Sequence, residues 1–238
     1  MKLDILAFGA HPDDVELGAG ATLAKEIANG KKVGIVDLTR GELGTRGSAE
    51  IRDKEAAAAA KILGVEIREN LGFADGFFTN DKEHQLDIIR MVRKYQPDIV
   101  LCNAINDRHI DHPKGSNLVS DACFLSGLVK IDTWASGTSQ EKWRPKLVYH
   151  YIQWKNIEPD FVVDVSEHME IKMKSVNAYA SQFYDANSKE PSTPISSKNF
   201  QESIRYRAAD LGRMIGVTYA EGFTVERYVA VDSIFDLI

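Results

Sequence analysis

One imidazole and two carboxylates fall within four residues in His11-Pro12-Asp13-Asp14, directly after an apolar stretch. A second cluster, Asp107, His109, Asp111 and His112, follows another apolar run. Two histidines and one aspartate are a familiar ligand set for a catalytic zinc, which takes three protein ligands and keeps a position for water. An oxygen-rich set also suits iron(II) or manganese. Hydrolysis at such a centre needs a base for the water proton and an electrophile for the charge that develops on the substrate oxygen. The groups left over can supply both. Asp13 adjoins a ligand, His109 stands three residues before His112, and Asp111 could hold His109 in one tautomer. The residues alone leave open which of Asp13 and Asp14 is the ligand. Pro12 fixes φ where the imidazole and the carboxylates must diverge.

The elements that would position these groups can be read in order. Leu3–Ala10 is an apolar strand, and Leu17–Asn29 a helix closed by Gly30. Lys32–Thr39 is a second strand, followed by the glycine-punctuated loop Gly41–Gly47. Ser48 caps a helix running to Leu63, in which Ala56–Ala60 favour helix and close packing, and Gly64 ends it. Val65–Leu71 is a third strand, Asp81–Tyr95 a helix, Asp98–Ala104 a fourth strand and Ser116–Leu128 a helix. The strands are continuously apolar rather than alternating, so the pattern predicts an α/β fold. It is Rossmann-like, with a mostly parallel, doubly wound sheet and helices on both faces. Ligands of such sheets bind beyond the carboxyl ends of the strands, where both polar clusters lie.

The second half is less regular. Strands are expected at Leu147–Gln153, Phe161–Val165 and Tyr228–Val231, and helices at Glu167–Phe183 and Phe200–Ile215. Residues 185–199 are polar, with two prolines, and read as a loop or a lid. No repeat or linker interrupts the chain, so one domain is expected over 1–238, with a core at 1–130 and an elaboration at 131–238.

Composition excludes several classes. Of the 238 residues 44% are hydrophobic and 27% charged, as in a globular domain. No apolar run is long enough for a membrane span, and the N-terminus has no leader pattern. Cys102 and Cys123 make no disulfide framework, so a cytoplasmic location is expected. The net charge of -6 and the scattered basic residues argue against nucleic acid. The Gly41–Gly47 loop lacks both the P-loop and the dinucleotide fingerprints, which counts against the main alternative, a metal- and nucleotide-binding protein without amidase activity. A catalytically silent carbohydrate binder would need no base and no acid. His84, His150 and His168 read as structural or solvated. Arg52, at the start of a helix on the active edge, is a candidate substrate contact.

Several motifs together resemble the PIG-L/LmbE-type N-acetylglucosaminyl deacetylases. They are Ala10-His11-Pro12-Asp13-Asp14-x-x-x-Gly18, Gly41-Glu42-x-Gly44, Arg52-x-x-Glu55, Leu63-Gly64-Val65 and His109-x-Asp111-His112. The runs Asp37–Gly47 and Gly216–Phe223 are similar to the bacillithiol-biosynthesis branch, which deacetylates N-acetylglucosaminyl malate. The resemblance implies His11, Asp14 and His112 as zinc ligands and Asp13 as general base. It implies His109 as the group that stabilises the oxyanion or protonates the amine, with Asp111 as its orienting carboxylate. Arg52 and Asp75 match substrate-contact positions. Malate carries two carboxylates, for which Arg46, Arg52 or Lys114 could supply the charge. Ile110 stands where the family motif has proline. A small-molecule sugar conjugate is the implied partner, and a homo-oligomer, trimer or hexamer, the implied assembly.

Overall fold

The computed structural model describes residues 1–236. The first half alternates β1 (Ile5–Gly9), α1 (Asp14–Ala28), β2 (Val33–Thr39), α2 (Ala49–Leu63), β3 (Ile67–Phe73), α3 (Lys82–Tyr95), β4 (Ile99–Cys102) and α4 (Asp111–Ser126). A two-stranded hairpin of β5 (Trp134–Ala135) and β6 (Thr138–Ser139) follows. The second half adds β7 (Leu147–Tyr151), β8 (Phe161–Asp164), α5 (Met169–Asn177), α6 (Lys198–Ile215) and β9 (Ala220–Val225).

All strands but the hairpin join one seven-stranded sheet in the order β3-β2-β1-β4-β7-β9-β8. Pairing is parallel from β3 through β7, and β9 runs antiparallel to both β7 and β8. The sheet is thus mostly parallel, and the last strand is Ala220–Val225 rather than Tyr228–Val231. Tyr228 is 98% exposed and could bury nothing as a strand residue.

Every residue of β1 and β2 is buried, because helices cover both faces. Side chains alternate across the sheet. Leu6 and Phe8 pack with Ile88, Val92, Leu118 and Val119 of α3 and α4. Ile5 and Ala7 pack with Val15, Ala19 and Leu23 of α1. A Cβ at Gly18 would stand 2.1 Å from the Tyr151 ring, so glycine there lets α1 lie against β7. A third cluster joins Ala56 and Ala59 of α2 to Met173 and Val176 of α5 and to Ile204 and Ala208 of α6.

The chain steps outward from β1 to β3, then crosses back to β4 on the other side of β1. That reversal opens a crevice at the carboxyl ends of β1 and β4, where α/β sheets bind ligands. Two helices begin earlier than the sequence pattern indicates. Asp14 opens α1 and Asp111 opens α4, so both polar clusters lie in first turns. Pro113 disguises the second as a loop, although a proline within a first turn gives up only an N–H that has no helical partner.

Candidate active site

His11, Asp13 and Asp14 follow β1, while Asp107, His109, Asp111 and His112 follow β4. Asp14 lies between two imidazoles, with Oδ2 at 3.4 Å from His11 Nδ1 and Oδ1 at 3.2 Å from His112 Nε2. The far nitrogen of each ring is held by a carboxylate. His11 Nε2 is 3.0 Å from Asp75 Oδ1 and 3.3 Å from Asp111 Oδ2. His112 Nδ1 is 2.7 Å from Asp107 Oδ2. Anchoring one ring nitrogen on a carboxylate turns the other toward a ligand and raises its basicity. Asp14 itself accepts from the His11 amide at 2.9 Å, from Asn103 Nδ2 at 3.0 Å and from Gln153 Nε2. Asn103 Oδ1 takes the Ala10 amide at 2.8 Å, which ties the ends of β1 and β4 together.

The donor set therefore fits a divalent cation. Asp14 stands between the two rings, and ligand atoms of His11, Asp75 and Asp111 lie within 4.8 Å of one another. His109 is a neighbour rather than an outlier, since ligand atoms of His11, His109 and His112 all lie within 4.8 Å of one another.

Protonation follows from this packing. Burial alone would lower the His112 pKa, but the Asp14 charge and the bond to Asp107 push it up to about 9. His11 is likewise raised against its burial, by hydrogen bonds with Asp111, Asp14 and Asp75. Burial opposes ionisation of Asp14, but the His112 charge and the bonds to both rings hold its pKa well below the usual carboxylate range. Both imidazoles are thus protonated at neutral pH in metal-free protein, and a metal must displace those protons. Zinc loading at pH 7 is expected to release about two protons per site. Calorimetric titration in buffers of different ionisation enthalpy measures this, and zero release would refute the assignment of these two rings.

Asp13 occupies a strained position, with φ 108° and ψ -23° before the first turn of α1. Its carboxylate is 3.2 Å from Arg52 Nη2. Arg52 also donates to Pro12 O, and its Nη1 donates to Gly41 O at 3.3 Å. A Cβ at Gly41 would meet that guanidinium at 1.8 Å, and φ there is +64°. The glycine loop thus closes over an arginine instead of forming a phosphate cradle. Burial pushes the Asp13 carboxyl up to about 7, with Arg52 opposing. A carboxyl poised near neutrality suits a general base.

His109 lines the same cavity. Its Nδ1 accepts the Asp111 backbone N–H at 3.3 Å, so the neutral ring carries its proton on Nε2. Burial and the positive charge of His11 and His112 lower its pKa and keep it neutral at pH 7. The Asp111 carboxylate does not orient this ring. It faces His11, accepts the Gly76 amide at 2.7 Å and pairs with Lys114 at 2.6 Å.

The expected substrate contacts divide. Arg52 and Asp75 line the cavity, each already engaged, and Asp75 also takes the Leu43 amide at 2.9 Å. Arg46 is turned away. It donates to Ser188 Oγ at 2.6 Å and to Phe183 O at 3.5 Å, and so pins the loop that precedes α6. Ser192, Thr193, Pro194 and Ile195 of that loop form part of the cavity wall.

Asp107 is the group whose part the sequence left unassigned. Besides His112 it accepts the amides of Arg108, Trp154 and Lys155 at 2.7, 3.2 and 3.0 Å. Asp107→Asn is expected to weaken metal binding by about 10–100-fold. Competition with a fluorescent zinc chelator measures it, and unchanged affinity would mean that Asp107 does not tune His112.

Comparison with known proteins gives the site its context. Residues 6–123 match PIG-L, described as GlcNAc-PI de-N-acetylase. The structure of the conserved protein TT1542 from Thermus thermophilus superposes with a TM-score of 0.86 at 35% identity, over 97% of this chain and 98% of that one. The chain belongs to the PIG-L family. Diacetylchitobiose deacetylase of Thermococcus kodakarensis is 29% identical over 228 residues, 92% of this chain and 81% of that protein. A relative of another kind, 4-oxalmesaconate hydratase of Pseudomonas putida, is 25% identical over 192 residues, 74% of this chain and 73% of that protein. As a PIG-L member the chain is an enzyme, a metal-dependent N-deacetylase. Among the described residues, no helix is long and apolar enough to cross a membrane.

Proposed function

We propose that this enzyme hydrolyses the acetamide of an N-acetylglucosaminyl conjugate, with zinc as its metal and N-acetylglucosaminyl malate, of bacillithiol biosynthesis, as its substrate. The observation that carries the reading is the convergence of Asp13, His109 and the His11–Asp14–His112 donor set on one cavity of about 540 Å³. That volume falls within the roughly 300–1,000 Å³ of small-ligand sites.

His11, Asp14 and His112 would hold the metal, which supplies Lewis acidity toward the acetyl carbonyl and makes water more acidic. Asp13 takes the proton of the attacking water, and Arg52 keeps its carboxylate in place. His109 Nε2–H donates to the oxygen that gains charge as the tetrahedral intermediate forms. The proton then passes to the departing glucosamine nitrogen, and acetate leaves. Trp154 and Phe200, stacked at 5.2 Å between ring centroids, give the cavity an aromatic wall of the kind sugar faces pack on. A cytoplasmic location and a trimeric or hexameric assembly belong to the same reading.

The test is acetate release from N-acetylglucosaminyl malate and from plain N-acetylglucosamine, with metal analysis and chelation in parallel. Release that is lost with the chelator and restored by zinc is the expected result. Full activity in metal-stripped protein, or addition of water to an alkene without amide cleavage, would overturn it.

A further inference from the structure

Four cationic side chains line the cavity, Arg52, Arg108, Lys172 and Arg207. Arg52 is paired with Asp13 and Lys172 with Glu221. Among the described residues, Arg108 and Arg207 have no carboxylate partner. Arg46 and Lys114, the other cations the sequence offers for an acidic substrate, are committed to Ser188 and Asp111 and lie outside the cavity wall.

Arg207 projects from α6, and its Nη2 donates to Trp154 O at 2.8 Å. A guanidinium has five N–H donors, so that bond leaves most of the fork for another partner. Burial lowers the Arg207 pKa, and the Asp107 charge opposes this without forming a direct ion pair. The Arg108 guanidinium lies 4.5 Å from the centroid of the Trp154 ring. Both unpaired cations are thus organised around Trp154, whose neighbour Gln153 holds Asp14 and whose own amide is held by Asp107. The acids Asp13, Asp14 and Asp75 gather instead with the histidines. Asp13, Asp14 and Asp75 thus line the hydrolytic end, while Arg108 and Arg207 stand at the Trp154–α6 wall. Of the other carboxylates nearby, Asp107 is committed to His112 and three backbone amides, and Glu221 to Lys172 and two amides of α1. Arg108 is next to His109 in the chain, so this wall begins beside the group that meets the acetamide in the deacetylase reading.

We propose that Arg207 and Arg108 form the aglycone subsite and select conjugates that carry a carboxylate beside the glycosidic bond, an inference that rests on the deacetylase reading. Planar, charge-assisted bonds from guanidinium to carboxylate would supply the selectivity.

The test compares N-acetylglucosaminyl malate with the neutral methyl N-acetylglucosaminide, which offers the same acetamide. In Arg207→Gln, kcat/KM for the malate conjugate is expected to fall about 10–100-fold further than kcat/KM for the methyl glycoside, mostly through KM. Arg207→Lys should recover part of the preference, and Arg108→Gln, at an exposed residue, should reduce it without touching the Trp154 carbonyl. Added salt should erode the wild-type preference more than that of the variants. Equal losses on both substrates in Arg207→Gln would reduce Arg207 to a support for Trp154 and overturn the proposal, as would a wild type without preference. If the wild type cleaves neither substrate, the deacetylase reading fails, and calorimetry with free malate decides the subsite separately. Malate binding that Arg207→Gln abolishes supports it, and no binding by the wild type refutes it.

Discussion

Asp13→Asn is expected to lower kcat by about 10²–10⁴-fold while the bound metal stays at the wild-type level. Asparagine is the right probe because it tolerates positive φ better than other non-glycine residues and keeps an oxygen for Arg52. The rate should fall because an amide cannot take a proton, and the metal should stay because Asp14, not Asp13, lies between the two imidazoles. Stability carries a second signature. The buried Asp13 carboxyl is raised from 3.8 to about 7, so the fold favours its neutral form. A group with a raised folded pKa gives stability that is complete below 3.8 and lost as pH rises through about 7. Metal-free wild type should therefore lose stability relative to Asp13→Asn across that window. Turnover at the wild-type rate would remove Asp13 from the base role. Parallel pH–stability curves for the two proteins would remove the electrostatic account.

β1, β2 and β4 were legible because they are largely apolar on both faces, and the helices between them carry ordinary punctuation, whereas β3, Ile-Arg-Glu-Asn-Leu-Gly-Phe, is polar and only partly buried. Ser48 caps α2 by accepting the Ile51 amide, and Gly64 closes it in the left-handed conformation. The second half was harder to read for a physical reason. β9 is inserted between β7 and β8 and runs against both, and its sequence, Ala-Glu-Gly-Phe-Thr-Val, contains a glycine and a buried carboxylate. Neither belongs in an apolar strand template, so the pattern pointed past it to the more aliphatic Tyr228–Val231. The short hairpin of β5 and β6 has too few residues to show any period.

At the site, sequence spacing brought the right residues to one edge but could not assign their partners. A carboxylate two positions from a histidine invites pairing with it, yet the first turn of α4 swings the Asp111 carboxylate toward His11 and leaves only its amide against His109. The ring-holding carboxylates come from distant segments. Asp75 follows β3, and Asp107 precedes α4. Asn103 and Gln153 are read as strand ends, and nothing local marks them as the amides that hold Asp14. Arg207 looks like one more basic residue on an amphipathic helix until α6 is placed against the cavity.

Glu221→Ala is expected to cost about 3–5 kcal/mol, the loss typical of leaving a buried charge without its partner. Glu221 is 3% exposed, and its Oε1 accepts from Lys172 Nζ at 2.6 Å. The same carboxylate takes two backbone amides from inside α1, Ala21 at 3.2 Å and Thr22 at 2.7 Å. Lys172 in turn donates to Leu17 O at 2.8 Å. One buried pair therefore joins β9, α5 and the middle of α1, the helix whose first residue is Asp14. For a chain of this size the loss corresponds to a fall in Tm of roughly 6–20 °C. Glu221→Gln should fall less, since an amide oxygen can still accept from the helix. Combining Lys172→Met with Glu221→Gln should recover much of the loss, because the stranded ammonium is then gone. Thermal unfolding of the three variants measures this. If Glu221→Ala melts within about 1 °C of wild type, or the double variant melts no higher than Glu221→Ala, the pair is not what fixes α1. Metal affinity offers an independent readout, because a loosened α1 would carry Asp14 with it. Glu221→Ala should then bind zinc more weakly even at temperatures where it remains folded.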